Sequence, residues 1–541
     1  MFSVSICITT VSLAIRMIVG NNKTEKKVLL IRVAIATTSG CPNLASHRKA
    51  LEGKLGSTVQ IKIFNDFSGR KSYNVLWAKP TSVRQISKLV KQAKKLGLTV
   101  RTVGRGHSWS PLHPDPCQIG VSLSDLKGEK YSLDAENNRL TVLSSENVEQ
   151  IMQWAANKNV TLGPMPLRVL DASFPGIIGT GSHSSNINAS PIANDVVGLE
   201  LVDGKGRVRK FSDNDEEDKE VIDACRVHLG LCGIIYKTTI KVIPDFKLKF
   251  SSGVIPVRKL LDTTNRKDLV MNNWGVVMIM PLTFAGATQA EKDAMNADPL
   301  RRIPQSYDIR NENFFVRIWS EVDQNTPIQD PQPDSITLAD GSSYSTTSVI
   351  KPFSSGIYNG AFSIEPIGCV RPRSSISFAQ PESDDFLASS ATLENGLNVL
   401  ERIFKDIGFY PRLFGANIIR WMKHDDRCLL CHTNIANANK KVMFYDASTN
   451  FDGCNNFLIN NTDRIRLQEF ETEFGAGVMK NNSQSLPHWA KHNPYVPGMT
   501  DLFRSNLNEN LASFLNVRAK YKLDKKNVFV NCHLRDIFTL V

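Results

Sequence analysis

A chain of 541 residues with 41% apolar and 22% charged side chains can bury enough surface for two or three packed domains, and its composition excludes disordered, collagen-like and disulfide-dense classes. Its formal charge of +12 is spread along the whole length. With no dense basic tract, zinc-finger spacing or RNA-binding aromatic signature, nucleic-acid binding is not expected, and the charge suits an anionic cofactor or a membrane surface better.

Residues 2–20 are mostly apolar but broken by Arg16 and not preceded by a basic segment, which makes a poor signal peptide and a poor membrane span. A polar run at 22–27 and a second apolar stretch, Val28 to Thr37, follow. That stretch also falls short of the roughly 18 apolar residues a span needs. Residues 1–68 are accordingly set apart as an N-terminal segment.

From residue 69, helix and strand signals alternate as in a mixed α/β domain. Ser82 to Gln85 reads as a capping box leading into Val83, Ile86, Leu89, Val90 and Ala93 on one helical face, with Gly97 as the stop. The next segment, Leu98 to Val103, alternates as a short strand and runs straight into Gly104-Arg105-Gly106-His107-Ser108. A second helix is expected from Val148, Ile151, Met152 and Ala155, ending through Asn159 at the Gly163-Pro-Met-Pro166 breaker. After it, Asp171 to Ser184 alternates small with apolar residues and reads as a loop that lets backbone approach a ligand. Glu200 to Gly206 predicts a hairpin turn and Asp213 to Glu220 a solvated acidic loop, while Leu229 to Tyr236 enters an alternating strand that runs through Val242.

Pro244 closes this domain near residue 245. Residues 246–500 are expected to form a second, α+β substrate domain with insertions, the stretch Thr326 to Ser348 being read as loop. A C-terminal segment, 501–541, follows, with Phe514, Val517 and Tyr521 at helical spacing before a short strand at Val528 to Val530.

Ten cysteines at irregular spacing are expected mostly as buried thiols. For the C-x-x-C pair Cys428 and Cys431, inert thiols are favoured over a disulfide or a redox pair. No second pair completes a metal site, so none is expected. Asn22, Asn159, Asn188, Asn460 and Asn481 head N-x-S/T sequons.

Two glycine-rich segments about 70 residues apart can present backbone N–H groups to a pyrophosphate. Neither is a Rossmann fingerprint, because Gly104-Arg-Gly106 runs into His107 and lacks the third glycine. The pattern Val103-Gly-Arg-Gly-His107-Ser108 resembles the histidine loop of the vanillyl-alcohol-oxidase type of FAD proteins, in particular the aldonolactone oxidoreductases. Gly176-Ile-Ile-Gly179-Thr180-Gly181-Ser182-His183 resembles that family's second loop, with Ser184 in place of a final glycine, and Leu229-Gly-Leu-Cys-Gly233-Ile-Ile235 its third. Near the C-terminus, Pro487-His488-Trp-Ala-Lys491 and Phe529-Val-Asn531-x-x-Leu534 match as well.

The resemblance implies a two-part FAD-binding domain with an α+β cap and a C-terminal segment returning to the flavin, the whole being of the α+β class. It implies FAD held covalently through His107, Lys491 stabilising the reduced ring, and Arg420 orienting substrate oxygens. It also implies hydride transfer from a carbinol carbon of a sugar-derived lactone, with oxygen or a cytochrome taking the electrons. The proton acceptor is sought among His488, favoured by its motif, His424 and His432, while His183 reads as structural. Where the family carries acids, this chain has Ile418 and Ser377, so the expected pocket is apolar there and its substrate less hydroxylated. Another polyol or alcohol oxidase, or a flavin binder without activity, are the alternatives. Membrane association is an expectation, in the secretory pathway first and the mitochondrion second.

Overall fold

The computed structural model describes residues 12–17, 29–34, 41–57, 59–66, 72–163, 165, 170–284, 286–300, 302–358, 361, 371–408, 414–435, 440–451, 461–481 and 483–540. The polar run at 22–27, Asn22, Asn460, Pro164 and Pro166 lie outside them. Ser12–Met17 and Leu29–Ala34 pair antiparallel with each other.

The first unit begins with α1 (Leu44–Leu55), β1 (Val59–Asn65), β2 (Ser72–Ala78), α2 (Val83–Leu96), β3 (Val100–Thr102) and β4 (Ile119–Val121). Their sheet runs β1-β2-β4-β3, parallel except for β1. Both α1 and β1 precede residue 69 and share its core, so this unit reaches further back than the sequence suggested. Helix α2 starts where expected: the Ser82 side chain accepts from the Gln85 amide, Gly97 closes it in a left-handed conformation, and Ile86, Leu89, Val90 and Ala93 are fully buried.

A second sheet takes β5 (Tyr131–Asp134), β6 (Arg139–Leu143), β7 (Val196–Val202), β8 (Val208–Ser212) and β9 (Ile234–Lys241) in the antiparallel order β8-β7-β9-β6-β5. Helix α3 (Val148–Ala156) carries a full capping box on Asn147 and Gln150. The Asp171 to Ser184 segment is not all loop: Phe174–Gly179 winds into the short helix α4 with Pro175 in its first turn. Half of the acidic run is helical too, because Asp215 caps α5 (Glu216–Cys225) through the Glu217 amide and three acids sit on the favourable end of its dipole.

The larger, nine-stranded sheet comprises β10 (Lys247–Pro256), β11 (Gly275–Pro281), β12 (Asn313–Glu321), β13 (Gln329–Thr337), β14 (Ser343–Pro352), β15 (Arg371–Glu382), β16 (Phe414–Lys423), β17 (Lys441–Phe451) and β18 (Leu486–Pro487). Its order is β13-β14-β10-β12-β11-β16-β17-β15-β18, every pairing antiparallel. The stretch read as loop is therefore the hairpin β13–β14. Its prolines, Pro331 and Pro333, are tolerated because β13 is an edge strand.

Alternation along the central strands gives the sheet two different faces. Met278, Ile419, Trp421, Met443 and Tyr445 point into a core closed by α6 (Leu387–Asp406) and α7 (Asn461–Asn481). Val277, Ile279, Ile418, Met422 and Phe444 point into the core of the first unit. The chain ends in α8 (Met499–Asn506), α9 (Asn508–Lys520) and α10 (Cys532–Ile537). Val528 to Val530 is not a strand, because Asp524 takes the amides of Val528 and Phe529 at 2.9 Å each.

The cysteines also depart from expectation. Cys41–Cys117, Cys225–Cys232 and Cys428–Cys431 are disulfides, and no described cysteine is free. No described helix is long and apolar enough to cross a membrane.

Candidate functional site

The glycine loop after β3 folds against the start of α4. A Cβ on Gly104 would lie 2.1 Å from the Ser173 hydroxyl, so a side chain there would push the two segments apart, and one on Gly176 would lie 2.7 Å from the same hydroxyl within the second segment. Gly106 has φ +76 with open space where its Cβ would be. Val103 is anchored to β4 through its amide and the Val121 carbonyl, 2.8 Å. Arg105 reaches the Asp171 carbonyl at 3.4 Å, and His107 Nε2 lies 3.3 Å from Asp171 Oδ1. The Ser108 carbonyl is held by the His113 ring at 3.0 Å.

The second segment is fixed in turn. Thr180 donates to the Gly176 carbonyl at 2.9 Å and Ser182 N–H to that of Ile177 at 2.8 Å. A Cβ on Gly179 would strike the His228 ring, 2.4 Å away, and one on Gly181, where φ is +66, would come within 3.0 Å of His432. Gly233 and Ile235 go elsewhere: Gly233 packs against the Val202 carbonyl at φ +145, and Ile235 is a buried member of β9.

Backbone contacts bring the C-terminal motif to these loops. Trp109 N–H, two residues after His107, donates to the Ala490 carbonyl at 2.8 Å. On the other side His488 N–H donates to the Ser377 carbonyl at 2.8 Å and Ser377 N–H to that of Lys491 at 3.1 Å, which ties the motif to β15.

On the inner face of the large sheet the charges converge on Asp446, which motif reading had missed. Its carboxylate is fully buried. Oδ2 is bonded to Arg420 and takes Lys491 Nζ at 3.0 Å, while Oδ1 has no hydrogen-bonded partner. Burial pushes this carboxyl up, but Lys491, Arg420 and His183 outweigh it and hold its pKa below the usual carboxylate range. In register, Asp446 stands directly opposite Ser377 on one side and Ile418 on the other, the two positions where the resembled family carries acids. The face is thus not the acid-free one expected, and the premise of a less hydroxylated substrate is lost. A lone Asp in the apolar run Val442 to Ala447 was the signal available in the sequence.

Three imidazoles stack beside this cluster. His183 lies on Phe444 with ring centroids 3.6 Å apart and 5.4 Å from His488, which stacks on His432 at 4.1 Å. Burial holds all three neutral, bringing His432 to about 3 and His183 and His488 well below 6.5, with nearby cations adding to the effect. Their hydrogen bonds differ. His432 Nε2 accepts the Trp489 amide at 2.8 Å, and its other nitrogen faces Gly181. His488 Nδ1 accepts the Ala490 amide at 3.1 Å, which leaves its proton on Nε2. His183 Nδ1 meets the Ser184 carbonyl at 3.1 Å and must donate there, so its lone pair is on Nε2, buried with no partner. His183 is therefore no mere loop histidine. His424 turns away to the Thr433 carbonyl at 2.5 Å, and Asp425 to Arg427 and Ser190.

These residues fit a flavin dinucleotide: glycines clear backbone for the phosphates, Gly106 leaves open space beside His107, and buried polar atoms of His183, Ser184 and Asp446 lack partners.

Residues 76–212 match the family model described as an FAD binding domain. The D-arabinono-1,4-lactone oxidase of Kluyveromyces lactis is 31% identical over 222 residues, 40% of this chain and 39% of that protein. The L-gulonolactone oxidase of Bos taurus is 27% identical over 188 residues, 35% of this chain and 41% of that one. The matched part spans about two-fifths of these relatives. Two solved structures share the fold over nearly their full length. A solvent-stable cholesterol oxidase gives a TM-score of 0.62 at 16% identity, covering 89% of this chain and 98% of that one. A xylooligosaccharide oxidase from Myceliophthora thermophila C1 gives 0.64 at 12%, covering 90% and 98%.

Proposed function

We propose that this chain, built on an FAD-binding domain and an α+β cap, is an FAD-dependent oxidase of a CH–OH group in a sugar-derived lactone. In this reading L-gulono-1,4-lactone and D-arabinono-1,4-lactone are the first substrates to test and oxygen is the electron acceptor. The observation that carries it is the meeting of the His107 loop, the Pro487 to Lys491 motif and the Arg420–Asp446–Lys491 cluster through direct backbone and side-chain bonds.

When bound, FAD would supply the hydride acceptor. His107 would be the residue that tethers the ring at its methyl carbon, with Asp171, 3.3 Å from Nε2, orienting the imidazole. Val103 to Ser108 and Gly176 to His183 would hold the rest of the cofactor. Lys491 and Arg420 place two positive charges where negative charge develops during oxidation, and Asp446 keeps them side by side. The substrate hydroxyl loses its proton to a neutral imidazole, and His183 has the better claim than His488 because its Nε2 lone pair is uncommitted.

Absorbance of the purified protein before and after acid precipitation reads flavin content and linkage, and anaerobic mixing with the two lactones reads activity. A colourless protein, or a yellow one that no lactone or polyol bleaches, would overturn the reading.

A further inference from the structure

Arg420 and Lys491 are two like charges drawn to one oxygen atom, Asp446 Oδ2, with the carboxylate beneath them shut off from solvent. Unscreened, two such cations repel, and they are carried by different segments of the chain. Arg420 is on β16, Lys491 is on the segment after β18, and Asp446 on β17 is the group that spans them. Its register neighbours Ser377 and Ile418 lie on the same face of the sheet as Asp446 itself. A carboxylate reaching the cations could therefore be supplied from any of three adjacent strands.

We propose that Asp446 is the positioning residue that sets Arg420 and Lys491 in the reacting geometry, doing from the middle strand what an acid at 377 or 418 would do from its neighbours. The inference rests on the oxidase reading above. It predicts that the carboxylate can be moved one strand across without losing function. Ser377 is the position to receive it, since its side chain is fully buried, stands directly opposite Asp446 and helps to hold that carboxyl's pKa down.

The holoprotein is compared with Asp446→Asn and with the exchange Ser377→Asp/Asp446→Ser, reading flavin content, the anaerobic rate of flavin reduction and the affinity of the flavin for sulfite. Asp446→Asn should keep its flavin, be reduced about a hundredfold more slowly, and bind sulfite about tenfold more weakly because a cation has left its place. The exchange should recover the reduction rate to within about tenfold of the parent and the sulfite affinity to within about twofold. Wild-type reduction in Asp446→Asn overturns the inference. So does tighter sulfite binding, which would mean the carboxylate acts only by subtracting charge. Should Asp446→Asn fail to fold, the exchange decides alone: parental sulfite affinity supports the proposal and a folded, inert protein refutes it. If the parent itself is bleached by no lactone or polyol, the oxidase reading falls while sulfite still reports on Asp446.

Discussion

Four buried histidines should make the protein sensitive to mild acid well above the range where carboxylates titrate. Burial lowers His228 to about 4 and His432 to about 3, and holds His183 and His488 well below 6.5. Each is depressed in the folded state, so below pH 6.5 the unfolded chain binds protons that the folded one refuses, and stability falls as pH falls. For His228 and His432 the window opens at 6.5 and closes near their folded values. Each costs about 1.4 kcal/mol per pH unit inside it, or about 2 kcal/mol apiece by pH 5. Together they remove about 4 kcal/mol, with His183 and His488 acting in the same direction, against a total stability of about 5–15 kcal/mol. Urea midpoints of the holoprotein measured from pH 7.5 to 5 should therefore drop steeply, and His228→Asn should flatten the slope by about 1.4 kcal/mol per unit. A midpoint unchanged from pH 7.5 to 5.5 would refute the neutral histidine stack.

Further outcomes follow from individual contacts. Lys491→Met should slow anaerobic flavin reduction about a hundredfold, since a lost charge-assisted contact of this kind costs about 3 kcal/mol, and stopped-flow absorbance reads it directly. His107→Ala should release all its FAD on acid precipitation. Asp171→Asn should leave FAD bound but lower the covalent fraction, as judged by flavin fluorescence on a denaturing gel. Gly104→Ala, whose Cβ would sit 2.1 Å from the Ser173 hydroxyl, should lower flavin occupancy and cost about 1–3 kcal/mol in thermal unfolding.

What the sequence made legible was local. Helix α2 could be read because its cap, its apolar face and its terminating glycine all fall within sixteen residues, and the two glycine segments because each is contiguous. The hairpin β13–β14 could not, because its strands lie at the edge of the sheet and carry the prolines and serines that elsewhere mark loops. The disulfide Cys41–Cys117 bridges 76 residues, a pairing that no local pattern specifies.

The site divides along the same line. Residues that would meet a cofactor through backbone leave motifs, because glycine at a fixed spacing lets backbone come close. Charges placed by strand register leave none: Asp446 is 26 residues from Arg420 and 45 from Lys491, and only the pairing of β15, β16 and β17 brings them together. Directly opposed positions on neighbouring antiparallel strands share one face about 5 Å apart, so a carboxylate can change strand and still reach the same cations. An acid missing at 377 and 418 is thus weak grounds for a changed substrate, and the spatial neighbours of those positions must be known before specificity is argued from their side chains.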